Sequence, residues 1–447
     1  MNRPRALITL LALALVVPGA AFAVNTGSAD FTNYVSAGDS LTAGFMSGSL
    51  IETSQLHDYP SIIANQATAG AADFQQPLVS PPGIPNILQL EGLFPTVILP
   101  LPGQGAPINL DLPRLYNNLA VPGETVGTML TVKSDIPTTG KPGLHDLILR
   151  GFGTQIEEVV GSKPTFVTLW IGNNDALGAA TSGNVALLTP LAVFQQEYTT
   201  VIGAIASTGA KMAIANIPDV TSIPFVTTIP IVLVNPDTNQ PVIFNGNPVP
   251  LIGPKGLLVP GDHVLLSASA DLAKGLGIPK PIGSGLPLPA SDVLLAADAA
   301  TINARIGQYN AVIASAAQQT GAALVDINSL LTQLATTGIE VGGIPFNAGF
   351  LTGGVFSYDG VHPTHFGYAF VANAFIAAIN QQFGADIPPG NLGPAIFGFS
   401  TGVGAESLES TDAAARPTVW TRYLFTAAAM KNLESVLVTP SGGRRHH

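Results

Sequence analysis

Asp359 stands three residues before His362 in the segment 359–364, and this pair carries the strongest chemical signal in the sequence. A carboxylate at that spacing can bond one ring nitrogen of the histidine and leave the other to take a proton from a serine hydroxyl. The chain has only seven histidines, and two of them are the terminal His446 and His447. The pattern predicts that His362 is the base and Asp359 its orienting acid in acyl transfer through a serine.

The other histidines compete less well for the role of base. His365 lies three residues after His362, but it opens a predicted helix, where polar residues are common. His57, His145 and His263 have no comparable sequence context. We therefore rank His362 ahead of all of them.

Two serines are candidates for the nucleophile. Ser40 follows the predicted first strand in a Gly-Asp-Ser-Leu turn, which would present it at a strand-to-helix junction, although a serine there is often only an N-cap. Ser400 matches the Gly-x-Ser-x-Gly nucleophile elbow at 398–402. That elbow needs an acid and then a histidine after the serine, and only His446 and His447 follow. Ser40 is therefore preferred, and Ser400 is expected to be a loop residue.

Two further segments end predicted strands with groups that can stabilise negative charge. Gly123 can offer an unobstructed backbone N–H, and the Asn174 carboxamide can donate to a developing oxyanion. Taken singly, Gly123 fits an ordinary turn and Asn174 fits an Asx turn. Together with Ser40 and His362 they gain weight, because in an open parallel sheet the carboxyl ends of the strands meet at one edge.

The elements that must position these residues alternate along the chain. Short β-branched runs alternate with longer stretches of helical periodicity, which predicts an α/β fold with parallel strands covered on both faces by crossover helices. The expected strands are 34–37, 115–120, 166–171, 212–217 and 322–327, and the clearest helices are 190–207, 297–318 and 365–383.

Composition excludes several classes of protein. Lys and Arg number 17 against 28 Asp and Glu, a net charge of −11, which argues against nucleic-acid binding. A charged fraction of 10% with 47% hydrophobic residues rules out a solvated disordered chain. The absence of cysteine excludes disulfides, thiolate zinc sites and a cysteine nucleophile.

The sequence also predicts a division of the chain. Residues 1–23 combine Arg3 and Arg5 with an apolar run and an Ala-Phe-Ala end, as in a secretory signal peptide, so we expect export to the periplasm or the cell exterior. A catalytic domain is expected over 24–388, with insertions at about 75–113 and 222–290 that border the site. Residues 389–447 read as a C-terminal extension of unknown role.

The motifs at Gly38-Asp39-Ser40, Gly123, 172–175 and 359–362 together resemble the GDSL/SGNH hydrolase family, over about 30–384. The resemblance implies a three-layer αβα sandwich with a flavodoxin-like, five-stranded parallel sheet. It also implies Ser40 as the nucleophile, His362 as the base and Asp359 as the acid. The oxyanion hole would consist of the Ser40 and Gly123 N–H groups and the Asn174 side chain. Neither a cofactor nor a metal is implied.

These inferences predict an exported serine esterase or lipase. The partner would be a small-molecule or lipid ester, with transient contact to a lipid or other hydrophobic surface. Apolar stretches at 231–234 and 251–266 would either wall an acyl-chain pocket or complete the hydrophobic core. A deacetylase of polysaccharides or other small acyl esters is the alternative substrate class, and an exported, non-catalytic binding module is the alternative of another kind.

Overall fold

The computed structural model describes residues 23–93, 96–235 and 238–393, and the backbone of 423–425. Within these ranges no helix combines the length and the apolar character needed to cross a membrane. The expected signal peptide, with the exception of its last residue, and Ser400 lie outside the described residues, as does nearly all of the expected C-terminal extension. The predictions made for those segments therefore stay predictions.

The strands, in chain order, are β1 Tyr34–Gly38, β2 Leu88–Leu93, β3 Thr96–Pro100, β4 Phe166–Trp170, β5 Lys211–Ala215, β6 Val234–Asn235, β7 Gln240–Pro241, β8 Ile243–Phe244, β9 Asn247–Pro248, β10 Ile252–Gly253, β11 Gly256–Leu257, β12 His263–Val264, β13 Val293–Leu294, β14 Ala323–Val325, β15 Ile339–Val341, β16 Ile344–Phe346 and β17 Tyr423–Phe425.

The helices are α1 Glu52–Gln55, α2 Tyr59–Ala67, α3 Val126–Thr131, α4 Ile136–Thr139, α5 Leu144–Leu149, α6 Gln155–Gly161, α7 Asn174–Ser182, α8 Leu191–Ala206, α9 Pro224–Thr227, α10 Ser269–Ala273, α11 Ala296–Thr320, α12 Ile327–Thr336 and α13 His365–Phe383. The three helices that the sequence marks most clearly correspond to α8, α11 and α13, and each boundary falls within two residues of its predicted position.

The central sheet is parallel, with strand order β1-β4-β5-β14. Alternate residues of β4 point to opposite faces, as the pleat of a strand requires. Val167 and Leu169 join a core with α8 and α11, whereas Phe166 and Trp170 join a second core with α2 and α13. The predicted α/β fold with helices on both faces, a three-layer αβα arrangement, is therefore confirmed.

The fifth strand expected at 115–120 is not confirmed. This segment does run parallel to β1, with backbone hydrogen bonds from Ser36 N to Asn117 O at 2.8 Å, Leu119 N to Ser36 O at 2.9 Å and Val121 N to Gly38 O at 3.1 Å. Only an isolated bridge forms, between Ser36 and Asn118. The Asn118 carboxamide adds side-chain bonds beside these backbone bonds: it accepts the Ala120 N–H and donates to Thr42 O and Gln76 Oε1.

The two insertions form small structures of their own. The first holds the antiparallel pair β2–β3, and β17 lies parallel beside β3. The second is built from two-residue strand pairs and α10, packed around a separate apolar core that includes Leu233, Leu251, Leu258 and Leu272. The stretches at 231–234 and 251–266 therefore contribute to this core.

Glu158 in α6 allows a test of how a buried carboxyl affects stability. Its side chain is 2% exposed, and within the described residues neither carboxylate oxygen has a hydrogen-bond partner. Burial raises the pKa of Glu158 from 4.5 to about 8, although Arg150 opposes the rise. Between these two values the unfolded chain has lost the proton and the folded chain has kept it. The contribution of Glu158 to the free energy of unfolding therefore falls as the pH rises from about 4.5 to about 8.

We expect Glu158→Gln to make this fall shallower, by on the order of 1 kcal/mol per pH unit. Urea unfolding at pH 5, 6.5 and 8 measures the effect as the difference between the variant and the unmodified protein. Glu157→Gln is the matched control, because it removes an exposed carboxylate from the same helix. Parallel pH dependences for Glu158→Gln and the unmodified protein would contradict the prediction.

Candidate active site

Ser40 lies directly after β1, in a tight turn at the carboxyl end of the sheet. Gly38 permits this turn, because its φ is 150° and a Cβ there would lie 2.2 Å from the Trp170 carbonyl oxygen of β4. Asp39 O accepts the backbone N–H groups of Thr42 at 3.1 Å and Ala43 at 3.0 Å. The helix expected after Ser40 does not form. Turns and irregular backbone follow Ser40 up to α1.

The loop before α13 brings an acid and a base to this serine. His362 Nε2 lies 2.8 Å from Ser40 Oγ, and His362 Nδ1 lies 2.8 Å from Asp359 Oδ2. All three residues are buried, with relative exposures of 4% for Ser40, 2% for His362 and 0% for Asp359. The structure therefore brings together the three residues that the sequence singled out.

Asp359 is held as a carboxylate by its surroundings. Burial by itself would raise its pKa, but His362 and the backbone N–H groups of His362 and Val361, each 2.8 Å from Oδ1, outweigh it and lower the pKa below 3.8. Gly48 N also donates to Oδ2 at 2.8 Å, and Ser357 Oγ donates to Oδ1 at 3.2 Å. An ionised Asp359 keeps the proton on Nδ1 and leaves Nε2 to accept one from the serine.

Asn174 begins α7 beside the turn that contains Gly123. Its Nδ2 donates to the Glu124 carbonyl oxygen at 2.9 Å. Gly123 has a φ of 87° and directly precedes Glu124 in this turn. At the start of the turn, the Val121 N–H donates to Gly38 O at 3.1 Å. These bonds place the Gly123 turn and the Asn174 amide next to each other and next to the end of β1.

Asp39 ties the serine turn to the asparagine segment. Its Oδ2 accepts Asn173 Nδ2 at 2.8 Å, and its Oδ1 accepts Leu41 N at 3.0 Å. Burial raises the pKa of Asp39 to about 6, although the hydrogen bond from Asn173 opposes the rise. The two segments are therefore fixed relative to each other by a buried polar contact.

An apolar cleft opens beside the serine, with Ser40, His362, Asn173 and Asn174 at its polar end. Side chains of α12, α13 and neighbouring elements form the walls, among them Leu177, Leu330, Leu331, Leu334 and Phe370. Of the described residues that line the cleft, Ile223 alone comes from either insertion. The stretches at 231–234 and 251–266 do not line this cleft. Leu233, Leu251 and Leu258 pack in the core of the insertion, and Leu265 and Leu266 pack in the main core, so the alternative that these stretches complete the hydrophobic core is the one supported.

The second insertion contacts the site by another route. Phe225 N donates to Gly360 O at 2.8 Å, inside the loop that carries Asp359 and His362. Gly360 has a φ of 71°, and a Cβ there would lie 2.8 Å from Leu266 Cδ1 and 3.0 Å from Phe225 N. The insertion thus packs against the loop 359–362, referred to below as the acid–base loop, at Gly360.

The region from residue 34 to residue 375 matches the model of one protein family, described as GDSL-like Lipase/Acylhydrolase. This match spans well over half of the chain. The chain belongs to the GDSL-like lipase/acylhydrolase family. It is an ester hydrolase of that family, as the sequence motifs predict.

Several solved structures are similar to this GDSL-like hydrolase. A catalytic mutant of an acetylxylan esterase from Geobacillus stearothermophilus shares 13% identity over 77% of this chain and 93% of its own, with a TM-score of 0.33. An extracellular lipase from Streptomyces rimosus shares 16% identity over 78% of this chain and 98% of its own, with a TM-score of 0.32. Phospholipase A1 from Streptomyces albidoflavus shares 14% identity over the same fractions, also with a TM-score of 0.32. No curated protein sequence matches the chain.

Within the described part of the chain, His362 is the histidine that contacts Ser40, and other histidines have partners elsewhere. The His365 ring stacks on His57, with ring centroids 4.7 Å apart. His145, for which the sequence shows no context, has carboxylates at both ring nitrogens, Glu124 at 2.7 Å and Asp135 at 2.9 Å. Sequence reasoning missed this cluster, because its members are brought together only by the folding of 124–146.

Sequence reasoning also missed the groups that hold Asp359. Gly48 and Ser357 donate to its two oxygens, and Ser357 Oγ itself accepts Ser47 N at 2.8 Å. Their only sequence signal is the spacing of Ser357 two residues before Asp359. Within the described residues, no group of three or more His, Cys, Asp or Glu is arranged to hold a metal ion.

Gly360→Ala should lower turnover by displacing the acid–base loop. The added Cβ would lie 2.8 Å from Leu266 Cδ1 and 3.0 Å from Phe225 N, and the backbone at Phe225 cannot move away without shifting the insertion. Gly384→Ala is the matched control, because its φ is 65° and a Cβ there meets nothing within 4 Å. Both variants incur backbone strain of about 1–2 kcal/mol. Ester hydrolysis and thermal unfolding of the pair separate strain from loop displacement, and equal turnover in both variants would contradict the prediction.

Proposed function

We propose that this GDSL-like hydrolase cleaves carboxylic esters by an acyl-enzyme route, with Ser40 as the nucleophile, His362 as the general base and Asp359 as its orienting acid. The observation that carries the proposal is the continuous hydrogen-bonded chain from Asp359 Oδ2 through His362 to Ser40 Oγ, with both contacts at 2.8 Å. These three hydrogen-bonded residues lie at the polar end of an apolar cleft where an ester can bind.

In the first half of the reaction, Ser40 Oγ attacks the ester carbonyl carbon while His362 Nε2 takes the hydroxyl proton. The carbonyl oxygen becomes an oxyanion, and we assign the Ser40 and Gly123 N–H groups and Asn174 Nδ2 as its donors. A carboxamide nitrogen carries two hydrogens, so Asn174 can donate one to Glu124 O and the other to substrate. The intermediate collapses when His362 returns the proton to the leaving alcohol.

In the second half, water replaces the alcohol. His362 removes a proton from water, whose oxygen attacks the acyl carbon of the Ser40 ester. The same donors hold the second oxyanion, and its collapse breaks the bond to Ser40 Oγ while His362 returns its proton to that oxygen, which releases the acid and restores the Ser40 hydroxyl. Asp359 stays ionised throughout, since it stabilises the imidazolium and accepts no proton itself.

The apolar walls of the cleft favour esters with an aliphatic acyl chain. Leu177, Ile223 and the leucines of α12 offer no charge and few polar groups beyond the catalytic end. Burial of a methylene group is worth about 0.8 kcal/mol. A longer chain therefore gains affinity in this cleft, whereas an acetyl group would leave most of it unused.

The proposal includes export. It is supported by Arg3, Arg5 and the apolar run that follows them, which have the order of a secretory signal peptide ending at Ala23. We place the catalytic domain at 24–388 and propose that 389–447 is an extension outside it.

Ser40→Ala should reduce ester hydrolysis by roughly 10⁴-fold or more, because the acyl-enzyme cannot form. Ser400→Ala is the matched control and should hydrolyse at the unmodified rate. The measurement is release of p-nitrophenol from a p-nitrophenyl ester by the purified protein. Loss of activity in Ser400→Ala alone would transfer the role of nucleophile to Ser400, and absence of turnover in the unmodified protein would favour the binding module.

Acyl preference should follow the apolar cleft. Over p-nitrophenyl esters from acetyl to palmitoyl, we expect kcat/KM to rise by up to about fourfold per methylene until the cleft is filled. Leu331→Trp adds bulk to the wall and should move the optimum to shorter chains. Leu187→Trp, on an exposed side chain outside the cleft, should leave the optimum unchanged. A preference of the unmodified protein for acetyl would instead support a deacetylase.

A further inference from the structure

A row of three charged side chains, of which Glu124 and His145 are buried and Asp135 is partly exposed, lies beside the Gly123 turn. His145, at the start of α5, donates from Nε2 to Glu124 Oε2 at 2.7 Å and from Nδ1 to Asp135 Oδ1 at 2.9 Å. The backbone N–H of His145 also donates to Asp135 Oδ2 at 2.9 Å. Because both ring nitrogens face carboxylate oxygens, both carry hydrogens and the ring is an imidazolium.

The charge state follows from these partners. Burial would lower the pKa of His145, but the hydrogen bonds to Asp135 and Glu124 raise it to about 10. Burial raises the pKa of Glu124, whose side chain is fully buried, and His145 opposes that rise. A buried carboxylate whose partner is removed is strongly destabilised, so Glu124 depends on His145 to remain where it is as an anion.

Glu124 connects this row to the site. Its side chain accepts from His145, while its own backbone carbonyl accepts Asn174 Nδ2 at 2.9 Å. The preceding residue is Gly123, whose peptide is joined directly to that of Glu124. The Glu124 carbonyl lies in the peptide between Glu124 and Thr125, and the Gly123 N–H lies two peptides earlier in the same turn. A displacement of Glu124 therefore moves the acceptor of the Asn174 amide directly and the Gly123 N–H through the turn.

We propose that His145 is a positioning residue for ester hydrolysis, which acts by anchoring Glu124 and so aligns the Gly123 and Asn174 donors with the oxyanion. This inference rests on the proposed function of those donors. It assigns His145 no contact with substrate, since it does not line the cleft. Its effect is expected in the transition state, where the oxyanion exists, and not in ground-state binding.

The contribution of one oxyanion donor sets the scale of the expected effect. Asn174→Ala in the unmodified protein should lower kcat by roughly 10²–10³-fold. We expect His145→Ala to lower kcat by about 10-fold or more, with KM changed by less than about twofold, because the loss falls on transition-state stabilisation. His145→Gln keeps one amide donor for Glu124 and should lose less.

The decisive experiment is a double-mutant cycle between His145 and Asn174. If His145 acts through the donors, Asn174→Ala introduced into His145→Ala should cost less than about 10-fold, because Asn174 is already misaligned. Thermal unfolding identifies any variant that fails to fold, and His145→Gln then completes the cycle in place of His145→Ala. His57→Ala, which removes an exposed histidine, is the control and should keep the rate of the unmodified protein.

Two results would overturn the inference: unchanged kcat in His145→Ala, or a full and additive loss when Asn174→Ala is combined with it. Failure of the proposed function has a different signature, because Ser40→Ala would then retain its turnover. The behaviour of Ser40→Ala does not depend on His145, so the two assignments can fail separately.

Discussion

The buried carboxylate of Asp359 is the interaction on which the rest of the site depends. A charge with no exposure must be fully compensated, and Asp359 accepts from Val361 N, the backbone and the ring of His362, Gly48 N and Ser357 Oγ. Four of these five donors lie in the loop that carries Asp359 and His362, and the fifth, Gly48 N, lies in the segment that follows Ser40. The compensation of one charge therefore joins segments more than 300 residues apart and brings His362 to Ser40.

The same principle operates on the opposite side of the serine. Glu124 is as deeply buried as Asp359, and the His145 imidazolium, which Asp135 balances in turn, compensates it at Oε2. Within the described residues Oε1 has no hydrogen-bond partner, so Glu124 depends on His145 more than Asp359 depends on any one donor. Each buried acid is adjacent to functional backbone: Asp359 to the loop of the base, Glu124 to the turn of the proposed oxyanion donors. Burial raises the energetic cost of any displacement, so the proposed base and the proposed oxyanion donors are held in place before substrate binds.

The sequence predicts the sheet and the residues at its edge because both leave local signals. Strand–helix alternation is periodic, and Ser40, Asn174 and His362 stand in short motifs at the ends of elements. The fifth strand could not be resolved in this way, since Asn118 has a residue type that competes with the backbone for hydrogen bonds. The contacts of His145 could not be predicted from the sequence either, because its partner carboxylates lie 10 and 21 positions away and approach it only in the folded chain.

The apolar stretches of the second insertion suggested an acyl pocket that they do not form, and the reason is again physical. Hydrophobicity specifies that a segment is buried and says nothing about which surface buries it. In the second insertion, Leu233, Leu251 and Leu258 are buried in one common core. Side chains of α12 and α13 line the cleft instead. The insertion contributes Ile223 to the wall of the cleft, and it contacts Gly360 through Phe225 and Leu266. A segment whose sequence suggests a substrate pocket thus mainly supports the loop of Asp359 and His362, the proposed acid and base.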